Sequence, residues 1–279
     1  MLAARHVAPP FHAPRTAVPG LARMLRGLLW RGTAFAVLLA AWAVVSHFRW
    51  VTPFLLPSPG QVVRTGIELL ADGSLLRNAW ISMARALAGF ALSAIIALPL
   101  GVLFTVAPTV RRLLEPPIEF MRQIPPLALI PLLVLWLGIG EAQKLGVVAL
   151  TCFFPVFLGT LDGLARVDPK LVEVGQVCAM PRAAIVRRIV LPAAAPTIVT
   201  GLRISLGFSW RALVGAELIA ASAGLGFLII DAQNLARTDI VLVGVVVIGV
   251  LGMLADRAAL AAVRRLMPWM PGAEGAQGA

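Results

Sequence analysis

The run Ala84-Arg-Ala-Leu-Ala-Gly-Phe-Ala-Leu-Ser-Ala-Ile-Ile-Ala-Leu-Pro-Leu-Gly-Val-Leu-Phe-Thr-Val-Ala107 carries a single charge, Arg85. As a helix rising about 1.5 Å per residue it is about 36 Å long, enough to cross a hydrocarbon core of about 30 Å. Five further runs read the same way: Thr33–Phe48, Pro125–Ile139, Leu145–Leu164, Thr197–Ser222 and Ile240–Val263. The sequence therefore predicts an all-α integral membrane protein. About six transmembrane helices are expected, near 32–48, 82–107, 120–139, 144–164, 197–222 and 240–263. The third reaches full length only by extending back through Phe120 and Met121, with Arg122 facing other protein. Pro99, Pro131 and Pro155 interrupt these runs, which membrane helices tolerate where neighbours satisfy the freed carbonyls.

Composition agrees. Of 279 residues, 59% are hydrophobic and 13% charged, against about 45–50% and about 25% in soluble domains. That excludes an ordinary soluble enzyme, a disordered chain and a disulfide scaffold. Cys152 and Cys178 make no framework, and the scattered His6, His12 and His47 make no metal site. The net charge of +11 could suggest nucleic acid, but the arginines sit between apolar runs without aromatic interleaving. They report topology instead. With the N-terminus inside, the inner segments carry 16 of the 24 Lys and Arg and the outer segments five, while Arg85, Arg203 and Arg211 lie within spans. Both termini are thus expected in the cytoplasm. Residues 1–31 read as a cytoplasmic tail, its proline-bearing start disordered, residues 32–266 as the transmembrane domain, and 267–279 as a second cytoplasmic tail. A cleaved secretory signal ending near Ala41-Trp42-Ala43 is the rival reading of the first run. In the first outer loop, Gln61–Leu70 reads as an amphipathic helix on the membrane face or a plain connector.

The inner segment 165–195 is the informative one. It contains Asp168-Pro-Lys-Leu-Val-Glu-Val-Gly-Gln-Val-Cys-Ala-Met-Pro-Arg-Ala-Ala-Ile-Val-Arg-Arg-Ile-Val-Leu-Pro192. Asp168 before Pro169 is a capped helix start. Pro181 suits the first turn of a second short helix, which Pro192 is expected to end. A half-apolar, half-basic helix pair on the cytoplasmic face should dock a soluble partner.

This segment resembles the cytoplasmic loop of ABC-importer permeases: Glu-Ala-Ala, three residues, Gly, nine residues, Ile, one residue, Leu-Pro. The matching positions are Glu173, Val174, Gly175, Ala179, Ile189, Leu191 and Pro192, with the spacing kept. Val174, Gly175 and Ala179 depart from the pattern. The family glycine suggests a helix end with φ > 0, so alanine there should cost about 1 kcal/mol or force another turn. Met121-Arg-Gln-Ile-Pro-Pro, Trp136-Leu-Gly-Ile-Gly, Gly201-Leu-Arg-Ile-Ser, Ala216-Glu217, Gly224-Leu-Gly-Phe-Leu-Ile and Leu254-Ala-Asp256 extend the likeness to the nitrate/sulfonate/taurine branch, most of all to aliphatic sulfonate permeases. The resemblance implies a type I ABC-importer permease fold in a bacterial inner membrane. Two permease copies, as a homodimer embedded in lipid, would form the pathway for a small anion. Two ATPase subunits, using ATP and Mg, would dock on the loop, and a periplasmic binding protein would deliver substrate. It also implies that Glu173 is the charged ATPase contact and that the turn through Cys178, Ala179, Met180, Pro181 and Arg182 seats in the ATPase groove. This chain has no Gly-x-x-x-x-Gly-Lys-Ser/Thr to cradle ATP itself.

The charges in the fifth span, Arg203, Arg211 and Glu217, need protein or water beside them. On a helical wheel Arg203 and Glu217 fall about 40° apart, a stripe that could line a pathway. Arg211 lies about 80° from Arg203. An Arg fork suits an oxyanion such as sulfonate; equally, these residues could pair with Asp256 or with each other at a dimer interface. Nitrate, taurine and a pyrimidine precursor are the alternative cargoes. A stand-alone secondary transporter would not need the 165–195 loop, and no internal repeat of the kind such carriers show is detectable. No catalytic arrangement of Ser, His and Asp is visible.

Overall fold

The computed structural model describes residues 21–267; residues 1–20 and 268–279, the outer parts of the tails expected at 1–31 and 267–279, lie outside the described residues. Among the described residues every element is helical. The chain divides into two compact units at Pro59. In the first, α1 (Leu21–His47) starts within the expected tail, so residues 21–31 are helical. Its apolar side chains from Phe35 to Leu39 are exposed, and Trp42 Nε1 donates to the Pro57 carbonyl at 3.0 Å.

In the second unit, α2 (Pro59–Ala71) and α3 (Ser74–Val106) are followed by α4 (Pro108–Gln123), a 3₁₀ turn (Pro126–Leu129) and α5 (Ile130–Leu137). Then come α6 (Glu141–Ala165), α7 (Pro169–Val177), α8 (Arg182–Ile185), a π-helical turn (Val186–Val190), α9 (Leu191–Ala220), α10 (Leu225–Asn234) and α11 (Thr238–Leu266). Three helices, α3, α6 and α11, and the segment holding α9 are long and apolar enough to cross a membrane.

The expected third span is not one helix. α4 and the segment Pro126–Leu137 are bent by 91°. The cause is local. A residue before proline is pushed out of the helical region, and here Ile124 (ψ 119°) precedes Pro125 (ψ 124°), which precedes Pro126, so the chain runs extended between the two helices. Phe120 and Met121 therefore belong to α4, whose Val110, Leu114 and Ile118 pack on a core of Ala97, Phe104, Val156 and Phe157.

α6 is packed against both α3 and α9. Without a hydrophobic drive between helices in lipid, close packing of small residues holds them. A Cβ on Gly201 would lie 2.7 Å from the Pro155 carbonyl oxygen and 3.1 Å from the Gly159 Cα. Ser205 Oγ donates to the Cys152 carbonyl at 2.9 Å across the same seam. α6 runs into the α7–α8 segment and α9 runs out of it, so that segment caps one end of the bundle. The start of α6 and the end of α9 lie at the other end.

Candidate functional site

The capping segment is built as the sequence predicts at its start. Asp168 Oδ1 accepts from the Lys170 backbone N–H at 2.9 Å, with Pro169 opening α7. α7 ends in a Schellman motif: Met180 N–H bonds the Gly175 carbonyl at 3.0 Å and Ala179 N–H bonds that of Gln176 at 2.9 Å. Ala179 sits in the left-handed region, φ 51°. The turn that the family glycine makes is therefore kept, and alanine carries the strain. Gly175 is buried because α7 crosses closely over the following turns; a Cβ there would meet Ile189 Cδ1 at 2.9 Å and Ile185 Cγ1 at 3.0 Å. Ile189 thus faces inward as a packing residue. Glu173, Val174, Val177, Cys178, Pro181 and Arg182 are exposed, and Lys170, Glu173, Val174 and Val177 line an open depression.

Pro192 does not end the second helix. Leu191 N–H bonds the Val186 carbonyl, five residues back, and the helix runs on through Pro192 as α9. The wider π turn accommodates a residue that lacks an N–H.

At the opposite end the structure assembles a buried group that the sequence does not announce. Arg85 of α3 donates through Nη1 to Glu217 Oε1 at 2.8 Å and to the Ala223 carbonyl at 2.6 Å. Its Nε and Nη2 bind Glu141 at 2.6 and 2.5 Å, and buried Lys144 also reaches Glu141, at 3.1 Å. Glu217, 1% exposed, further accepts from Ser82 Oγ at 2.7 Å and from the Gly226 N–H at 3.0 Å. Gly224, at φ 114°, wraps so closely that a Cβ would overlap the Glu217 carboxylate, and its N–H bonds Asn78 Oδ1 at 2.8 Å. Two cations and two anions cancel. Removing Arg85 or Glu217, both buried, costs about 3–5 kcal/mol; Glu141 is 59% exposed and costs less.

The expected stripe of Arg203, Arg211 and Glu217 is thereby divided. Fourteen residues separate Arg203 from Glu217, about 21 Å along the axis. A common azimuth then meets different neighbours at different depths. Glu217 faces α3, whereas Arg203 pairs with Asp256 of α11, Nε–Oδ1 and Nη2–Oδ2 both 3.2 Å. Arg211 is exposed, its guanidinium 5.8 Å from the Phe208 ring centroid. Among the described residues no three His, Cys, Asp or Glu side chains gather as metal ligands would. Sequence reasoning placed Arg85 in a span without a partner and missed Ser82, Asn78, Glu141 and Lys144. The only hint was the pairing of two motifs, Ala216-Glu217 and Gly224-Leu-Gly226, which prove to be one structure.

The chain is similar to known proteins in sequence and in fold. Residues 89–268 match the family described as "Binding-protein-dependent transport system inner membrane component". A Bacillus subtilis (strain 168) permease provisionally named for aliphatic sulfonates is 38% identical over 76% of this chain and 77% of its own. The taurine transport system permease protein of Escherichia coli K12 is 38% identical over 76% and 79%. The nitrate import permease protein of a Synechocystis strain is 31% identical over 77% and 81%. In fold, the chain is similar to one in an inward-facing structure of the MetNI methionine ABC transporter, with TM-score 0.54, 19% identity and coverage of 67% of this chain and 95% of that one. The type I importer permease fold is therefore the fold observed. The match from α3 through α11 shows that this multi-pass inner-membrane protein belongs to the binding-protein-dependent transport system inner membrane components, the permease subunits of ABC importers.

Proposed function

We propose that two copies of this chain form the route for an aliphatic sulfonate, driven by two ATPase subunits that use ATP and Mg and dock on the α7–α8 pair. A periplasmic binding protein delivers the anion at the opposite end. Both termini and α7–α8 lie on the cytoplasmic side. The supporting observation is the α7–α8 pair itself: a fixed turn that holds Glu173, Val174 and Val177 outward at one end of the bundle. Exposed valines beside a carboxylate would be a poor solvated loop and make a good docking face. The turn through Cys178, Ala179, Met180, Pro181 and Arg182 enters the ATPase groove, while Gly175, Ile189 and Pro192 pass its motion into α9. The sulfonate reading draws on the named cargoes of the Bacillus and Escherichia relatives.

Two measurements test this. Glu173→Lys should leave the amount of permease in the membrane unchanged but lower co-purification with the ATPase and uptake at least about tenfold, a loss of about 1.4 kcal/mol. Unchanged co-purification and uptake would make Glu173 a bystander. Uptake of labelled taurine, ethanesulfonate and nitrate by the reconstituted transporter ranks the cargoes; nitrate alone would overturn the sulfonate assignment.

A further inference from the structure

Arg211 sits near the middle of an apolar helix, where a charge needs a compensating partner or a wet cavity. It shares a groove of about 410 Å³ between α9 and α11 with Thr200, Arg203, Ile204, Phe208 and Asp256. Arg203 is already neutralised by both oxygens of Asp256. The groove therefore keeps one uncompensated positive charge. The described residues of the long apolar helices leave no carboxylate over to answer it. Among the described residues, each carboxylate in α3, α6, α9 and α11 has a cationic partner: Glu141 and Glu217 on Arg85, Asp162 on Arg166, Asp239 on Arg237 and Asp256 on Arg203.

We infer that Arg211 holds the head of the translocating anion, an oxyanion with a short apolar tail such as an alkanesulfonate, and that Ile204 and Phe208 receive the tail. This rests on the proposed sulfonate import. A guanidinium presents parallel N–H donors that match two oxygens of a sulfonate. The Phe208 ring, one turn before Arg211, lies with its centroid 5.8 Å from the guanidinium carbon, within reach of a cation–π contact. Asp256 keeps Arg203 occupied, so the anion meets one free guanidinium rather than two. The site then releases its cargo more readily than a double clamp would.

The test uses the permease reconstituted with its ATPase and binding protein, with labelled ethanesulfonate as probe and nitrate as a second anion. Arg211→Leu should lower transport about ten- to hundredfold, the loss expected for one charged hydrogen-bonding partner, with assembly and ATP hydrolysis retained. Adding Asp256→Asn to that variant frees Arg203 in the same groove and should restore part of the transport. Loss without rescue would mean that Arg211 serves the shape of the route, and would overturn the assignment, as would wild-type transport by Arg211→Leu. If the leucine variant does not assemble, Arg211→Gln decides: a full rate overturns the assignment and a reduced one supports it. A wild-type transporter that carries nitrate but no sulfonate would sink the cargo reading, and the same variants assayed on nitrate would still judge Arg211.

Discussion

Ala179 holds a φ of 51°, where an alanine Cβ crowds the following carbonyl at a cost of about 1–2 kcal/mol. Glycine bears that conformation without the clash, though it loosens the unfolded chain. Ala179→Gly should therefore stabilise the protein by about 1 kcal/mol, read as a rise of about 2–4 °C in the thermal midpoint of the purified permease, with uptake unchanged. A fall in the midpoint would mean that the turn is formed some other way. The residue scale also shows where sequence reading stops. The spacing of the loop pattern exposed the strain at position 179, because the constraint is local. Arg85 was seen only as a charge near the end of an apolar run, because its partner Glu217 stands 132 residues away and no period links them.

Among the elements, the α6–α9 seam is the least forgiving. Gly201→Leu would drive a side chain into the Pro155 carbonyl and the Gly159 backbone, and backbone cannot swing aside as a rotamer can. Overpacking of this kind costs about 1–3 kcal/mol or more. The expected result is a marked loss of folded permease by size-exclusion chromatography, whereas Gly249→Ala on α11, which meets nothing within 4 Å, should elute as wild type. Equal recovery of both would refute the tight seam. The long apolar helices were legible, since hydropathy alone marks α3, α6, α9 and α11, whereas α10 and most of α4 were not foreseen. Helix direction was not: an apolar stretch has the same mean hydropathy straight or bent, so the 91° break before α5 was hidden in a run read as one span. Pro192 misled for a related reason. Proline forbids one hydrogen bond, and a turn one residue wider supplies another.

For the molecule as a whole, the order of helices sets the α7–α8 pair and the Arg85–Glu217 group at opposite ends, and the proposed orientation, with α7–α8 in the cytoplasm, rests on the arginine distribution. With Cys178 replaced by Ser, a cysteine at Gly73 should react with a membrane-impermeant maleimide in intact cells and one at Arg182 should not. Labelling at Arg182 alone would invert the orientation. The group around Arg85 and Glu217 carries no net charge. A single charge carried across 100 mV exchanges about 2.3 kcal/mol with the membrane potential. Arg85, Lys144, Glu141 and Glu217 sum to zero, so their displacement as a body exchanges almost nothing. If cargo enters at that end as proposed, a rearrangement that carries these four residues together adds no voltage dependence of its own, and a cell whose membrane voltage collapses or surges leaves their part of that equilibrium where it was.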